Sequence, residues 1–211
     1  MTRKELESLY TAPQFFVTED EEYRTPLEAE GGGYFVDNLA TGESTIIPSL
    51  NLQTSKYHQE SLMDHVAIVT GRMNCSHDPV AVSIGLLHDL GKKYTVKLNK
   101  NEEFCFYGHE ELSAKIAEQL LADNNYFSEK DKKTIVAVIS VHFQPKLLKG
   151  ITLECFYEGF KKLYGERALD YLMMLERADR GVTEEYINSF ITEKEISDGY
   201  EVIDKFLNMF F

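Results

Sequence analysis

Cysteine is scarce in this chain: Cys75, Cys105 and Cys155 are odd in number, far apart, and form no Cys-x-x-Cys pair. They offer neither a disulfide framework nor a paired-thiolate metal site, and fit a reducing compartment. Long apolar runs are missing too. No segment approaches the roughly 18 continuous apolar residues of a membrane span, and the opening Met-Thr-Arg-Lys-Glu-Leu-Glu lacks an apolar signal core. The expected location is therefore cytoplasmic, with no membrane partner. Basic residues are in deficit, 22 Lys and Arg against 35 Asp and Glu, for a formal net charge of -13. Non-specific grip on a nucleic-acid backbone needs clustered Lys and Arg, so it is disfavoured. A small phosphorylated substrate, or a short nucleic-acid end held by a local basic patch, stays open.

What is present reads as an ordinary globular protein, with 43% hydrophobic and 27% charged residues in 211. That length suits one large domain, or one domain with a small appendage. Residues 2–10 have the pattern of a short helix, followed by an acidic, broken stretch with Pro13, Pro26 and Gly31-Gly32-Gly33. Tyr34-Phe35-Val36-Asp37 and Ser44-Thr45-Ile46-Ile47 flank a Gly-containing turn and predict a β-hairpin. Residues 1–57 are thus expected to form an N-terminal appendage, and 58–211 the main domain.

From about Ser61 the signals are helical. Asp78-Pro79 marks a helix start, with Asp as cap and Pro in the first turn, leading to Asp89. Residues 95–107 predict a second short hairpin. Helices are expected from Gly108 to about Asn124, from a Ser128 cap to Val141 with Gln144-Pro145 ending it, over 152–163, over 166–179 and over about 195–209. No repeat or low-complexity tract appears. The expected fold class is all-α, a helical bundle with two small hairpins.

The chemistry concentrates in Gly85-Leu-Leu-His-Asp-Leu-Gly-Lys-Lys-Tyr94. His88 and Asp89 together suit a divalent ion of intermediate hardness, and a following lysine suits an anionic oxygen. The plainer alternative is a helix C-terminus, with Gly91 as its stop and Lys92 and Lys93 exposed near the negative end of the helix dipole. Other residues favour the metal. His65 lies on the stripe of Leu62, Ile68 and Val69; His142 follows Ile135, Val138 and Ile139; Asp179 follows Leu172 and Leu175. Each places a polar group on an apolar face. A single buried histidine is more often a hydrogen-bonded core residue than a ligand. A buried carboxylate without a partner is costly, however, and several such groups converge most economically on a shared cation.

The ordered set His65, His88-Asp89 and Asp179 resembles the HD-domain metal-dependent phosphohydrolases over roughly residues 58–180. Leu87-His88-Asp89-Leu90-Gly91-Lys92, Phe106-Tyr107-Gly108-His109-Glu110, Val141-His142-Phe143-Gln144-Pro145 and Ala178-Asp179 look most like the HD domain appended to some bacterial tRNA nucleotidyltransferases. The transferase domain's own Gly-Ser and paired-acid signature is missing, so polymerase activity is not expected.

The resemblance implies that His65, His88, Asp89 and Asp179 hold a divalent ion (Mn, Ni, Co, Fe, Mg or Zn), with His109 and His142 either holding a second ion or contacting phosphate. It implies a phosphodiesterase or phosphomonoesterase acting on nucleotides or RNA-end phosphates such as 2',3'-cyclic phosphates, with Asp89 and Lys92 as catalytic residues. The alternatives are a 5'-nucleotidase, an alarmone or dinucleoside polyphosphate hydrolase, and a non-catalytic module that binds metal or nucleotide. Lys92, Lys93 and Arg180 are candidate phosphate contacts, and His58 a candidate pocket residue, while His77 reads as a loop residue without a role. Lysines 92, 93, 97 and 100 offer a basic lip for a nucleotide or RNA terminus, or else a solvated hairpin. Tyr94, Phe104, Phe106 and Tyr107 either stack on a base or anchor that hairpin. The C-terminal Phe206, Leu207, Met209, Phe210 and Phe211 either pack on the domain or form a homodimer contact.

Overall fold

Helix-start chemistry is legible at several elements of the computed structural model, which describes residues 2–11, 15–17, 22–24, 34–47, 60–74, 77–187 and 191–210. Ser61 caps α2 (Leu62–Met73) by accepting the Asp64 amide at 3.0 Å, and Asp78 caps α3 (Pro79–Leu87) through the Val80 amide at 2.9 Å. Ser128 does the same for α6 (Glu129–Val141), with α5 (His109–Ala122) before it. The remaining helices are α1 (Arg3–Thr11), α4 (Lys92–Thr95), α7 (Gln144–Leu147), α8 (Ile151–Tyr164), α9 (Glu166–Ile187) and α10 (Glu193–Phe210). Among the described residues, none of these is long and apolar enough to cross a membrane.

The fold is all-α, a bundle in which α2 packs on α3, α9 and α10, while α5 and α6 pack on each other and on α3. The core runs from Val66, Ile68 and Ile84 to Leu112, Ile139, Leu172 and Ile203. Leu6 and Tyr10 of α1 are fully buried in that same core, and the Tyr10 hydroxyl donates to the Leu86 carbonyl just before His88. Phe206 and Leu207 also pack in the core, whereas Met209 is exposed.

Among the described residues, three antiparallel hairpins accompany the bundle: β1–β2 (Phe15–Val17 with Glu22–Arg24), β3–β4 (Tyr34–Asp37 with Ser44–Ile47) and β5–β6 (Lys97–Leu98 with Phe104–Cys105). The second and third were expected. The first falls in the stretch read as acidic and broken, where Phe15-Phe16-Val17 supplies the strand residues. A bridge from Asn38 to Leu98 joins the second hairpin to the third, and Val36, Val96 and Leu98 form a small apolar cluster between them.

Two other expectations are corrected. Pro145 does not end α6, which stops at Val141; it sits in the first turn of α7, where a missing amide costs nothing. The helix expected over 166–179 continues to Ile187, so Asp179 lies inside it.

Gly91 is not a left-handed helix stop: its φ is -72°. A β-carbon there would lie 2.4 Å from the His109 carbonyl oxygen and 2.8 Å from the Ser113 amide nitrogen. The chain after Asp89 thus presses backbone to backbone on the start of α5, and the Gly91 amide donates to Ser113 Oγ at 2.8 Å. Gly108, with φ +78°, supplies the left-handed turn into His109. Gly91→Ala is expected to cost about 1–3 kcal/mol by overpacking, read as a lower thermal midpoint. A midpoint equal to that of the wild type would show that this contact yields freely.

Candidate metal centre

His65 comes from α2, His88 and Asp89 from the end of α3, His109 from the first position of α5, His142 from the residue after α6, and Asp179 from α9. All six are buried. Three of the histidines share one local device, a ring Nδ1 bonded to the carbonyl three residues earlier. His88 meets Gly85 O at 2.8 Å, His109 meets Phe106 O at 2.7 Å and His142 meets Ile139 O at 2.7 Å. His65 Nδ1 instead faces Glu60 Oε1 at 3.1 Å. A carbonyl or carboxylate only accepts, so these bonds assign the proton to Nδ1 and leave a lone pair on each Nε2.

Those four Nε2 atoms surround Asp89. His88 and His65 stand 3.2 and 3.5 Å from its Oδ2, and His109 and His142 stand 3.4 and 3.7 Å from its Oδ1. Asp179 Oδ1 lies 3.5 Å from His65 Nε2. Two ligand groups share the central carboxylate, His65-His88-Asp89 and Asp89-His109-His142, each with donor atoms within 4.8 Å of one another.

The donor set fits cations. His88 Nε2 and both Asp89 oxygens are buried without a hydrogen-bond partner, a costly arrangement that metal coordination relieves. Lys92 Nζ stands 2.7 Å from Asp89 Oδ2, where it offsets charge without the angle of a hydrogen bond. The Nε2 atoms of His109 and His142 are 3.2 Å apart. That spacing alone would suit a hydrogen bond, but both Nδ1 protons are committed to carbonyls, so two lone pairs face each other and a cation between them removes the repulsion.

Electrostatics favour the cation-binding forms of His65, His109 and Asp89. Burial pushes His65 down to about 4, against the pull of Glu60, and His109 to about 3, against the pull of Asp89. Burial alone would raise Asp89, but His88 and Lys92 outweigh it and hold the carboxyl well below its usual range. His88 moves the other way, because Asp89 beside it outweighs its burial and raises it.

Asp89, His109, His142 and Asp179 lie at the floor of a cleft of about 800 Å³, lined also by Phe104, Phe106, Tyr107, Phe143, Lys146 and Arg180, while His65 and His88 are behind it. The volume lies within the usual range of small-molecule sites. The other sequence candidates are placed as follows. Lys92 is on the floor and mostly buried, not exposed. Lys93 is also buried, but its Nζ reaches the Ser8 carbonyl of α1 at 3.4 Å, away from the cleft lining. Arg180 is at the rim, paired with Glu176. Lys97 pairs with Asp37 at 2.8 Å and Lys100 is exposed, so the lysines do not gather into a lip. Tyr94 packs on the core outside the cleft lining, and His77 occupies a loop at φ +51°. His58 lies outside the described residues.

Two residues were not foreseen. Glu60, immediately before the α2 cap, orients His65; a carboxylate at that point carries no periodic signal. Lys146, four residues after His142, places Nζ 2.6 Å from Asp179 Oδ2. The i+4 spacing was its visible clue, obscured by Pro145.

Residues 61–181 match the family model described as HD domain. Curated proteins and solved structures yield no match to the chain.

The neutral histidines have a pH signature. The folded values of His65 and His109 fall below about 6.5, the value of an unfolded histidine, so between these limits the unfolded chain binds more protons. Stability from this source is complete above about 6.5 and is lost as pH falls through about 4 and then about 3. His88, being raised, acts above that window, and Asp89 and Asp179, being lowered, act below the ordinary carboxylate value. Thermal melts of chelator-treated protein should therefore show the midpoint dropping between pH 6.5 and 4. A midpoint that holds steady across that interval would contradict the burial of neutral rings.

Proposed function

From the premise that the chain belongs to the HD domain family, whose members are metal-dependent phosphohydrolases, we propose that it hydrolyses phosphoesters of nucleotides or of RNA ends. The observation that carries this reading is the arrangement around Asp89, one carboxylate facing two imidazoles with each of its oxygens. His65, His88, Asp89 and Asp179 would hold one divalent ion, and His109 and His142, with Asp89, could hold a second. Imidazole-rich donors with carboxylate oxygen favour Mn, Fe, Co, Ni or Zn over Mg. Ions held there would supply Lewis acidity and a water of lowered pKa.

The chain's own residues do the rest. Asp89 fixes the geometry of both halves of the cluster. Lys92, close to Asp89 and open to the cleft, contacts a phosphate oxygen and offsets its charge. The rings of Phe104, Phe106, Tyr107 and Phe143 give the cleft an aromatic wall suited to stacking on a base, which supports a nucleotide over a simple phosphate ester. Among nucleotide-type substrates, 2',3'-cyclic phosphates and 2'-nucleotides follow from the likeness of the His109 and His142 motifs to the HD domain of tRNA nucleotidyltransferases. 5'-Nucleotides, alarmones and dinucleoside polyphosphates are the competing class.

The test is metal analysis, followed by a phosphoester panel with Mn²⁺, Ni²⁺, Co²⁺ and Mg²⁺: a chromogenic diester, 2',3'-cyclic and 2'-nucleotides, 5'-nucleotides and polyphosphates. The expected outcome is hydrolysis that chelation abolishes, with cyclic or 2'-phosphates leading. Asp89→Ala should reduce turnover to background while circular dichroism retains the helical signal. Metal-loaded protein that cleaves nothing in the panel would end the catalytic reading in favour of a binding module.

A further inference from the structure

Lys146 is the cation for which the reading so far has no use. It sits on the four-residue helix α7, faces the cleft with its side chain about a quarter exposed, and places Nζ 2.6 Å from Asp179 Oδ2. The other oxygen, Oδ1, is the one turned to His65 Nε2 at 3.5 Å. Lys92 is likewise close to Asp89, its Nζ 2.7 Å from Oδ2, the oxygen that also faces His65 and His88, with Oδ1 turned to His109 and His142. Two ammonium groups from different helices thus reach the two carboxylates of the cluster.

Asp179 cannot give its full charge to an ammonium and to a divalent ion at once. An ion on Oδ1 drains charge from the carboxylate and repels the ammonium a few ångströms away. A lysine on a flexible stem, partly in solvent and anchored by a short helix, can turn into the cleft at small cost. Arg180, the other cation near Asp179, is held by Glu176.

Resting on the metal-site reading above, we propose that Lys146 is a phosphate-binding residue whose pairing with Asp179 is exchanged, once a divalent ion is held there, for the substrate's phosphate oxygen. The cleft then presents two ammoniums, Lys92 from the start of α4 and Lys146 from α7, to one phosphoester. No bond is made or broken by this exchange; it couples the two binding events, so that metal strengthens phosphate binding and phosphate strengthens metal binding.

The experiment is calorimetry of the full chain with Mn²⁺ alone, and then with orthophosphate added to Mn²⁺-loaded protein, for wild type, Lys146→Met and Lys146→Arg, with Lys149→Met as a control for the loss of a nearby exposed charge. The expected signature has opposite signs. Lys146→Met binds Mn²⁺ at least as tightly as wild type, because a competing cation is gone, yet binds orthophosphate about tenfold more weakly, the size of one charge-assisted bond. Lys146→Arg regains most of the phosphate affinity, and Lys149→Met behaves as wild type. Weaker Mn²⁺ binding in Lys146→Met would make the lysine a support for Asp179 and overturn the proposal. So would unchanged phosphate affinity in a variant that still takes up Mn²⁺. A wild type that binds no Mn²⁺ at all would instead remove the metal-site reading itself, and this proposal with it.

Discussion

Asp89 is a buried carboxylate neither of whose oxygens accepts a hydrogen bond, with Lys92 beside one of them and four imidazole Nε2 atoms around it. Such an arrangement persists only if something else fixes the rings. The fixing is done from behind, by the carbonyls of Gly85, Phe106 and Ile139 and the carboxylate of Glu60. Three of these bonds span three residues and belong to helix ends or turns, where the Phe106 and Ile139 carbonyls accept the backbone amide of the same histidine as well, at 3.1 and 3.4 Å. The positions at which α3 and α6 stop and α5 begins are therefore part of the site's chemistry. Gly91 makes the same point through space, since the close approach of its backbone to residues 109–113 brings His109 over Asp89.

The walls of the cleft are built differently from its floor. The β5–β6 hairpin carries Phe104 and leads into Phe106 and Tyr107, and it has only two residues in each strand. Alone that would be marginal. The β3–β4 hairpin backs it, with Val36 against Val96 and Leu98, the Leu39 amide donating to Leu98 O at 2.7 Å, and Asp37 paired with Lys97. Residues 34–47 thus act on the site indirectly, as a brace for the aromatic wall. The same ion pair takes Lys97 out of any basic lip, so the cations that line the cleft are Lys92 and Lys146 beside the two carboxylates and Arg180 at the rim.

Much of this was readable in advance because it rests on short-range rules. Asp78-Pro79 and Ser128 declared their helices through capping chemistry, and His65, His142 and Asp179 stood out as polar breaks in apolar stripes. What the sequence concealed depends on distant neighbours. Gly91 looked like a helix stop, and only the packing of α5 shows that it is a spacer. Lys92 and Lys93 are adjacent and chemically alike, yet one reaches Asp89 and the other the α1 carbonyl of Ser8, because successive positions of a helix point in different directions. Glu60 precedes the first helical stripe of the domain, so no periodicity marks it. Leu6 and Tyr10 were placed in an appendage by the broken text that follows them, whereas the core accepts them as readily as any later helix.

The difference between floor and walls has a consequence for how such a site changes. The floor is over-determined: each imidazole is fixed at one nitrogen, buried, and borne by a helix packed into the common core, so altering one ligand disturbs the rest through Asp89. The walls hang on two-residue strands and the four-residue α7, joined by turns and packed in part on the smaller apolar cluster. Substitutions at Tyr107, Phe143 or Leu147 meet open space or other side chains at the cleft surface, with little of the bundle depending on them. The energetic separation leaves the donor cluster to the helices and the shape of the cleft walls to the short elements, and it lets one alter the second while the first stays intact.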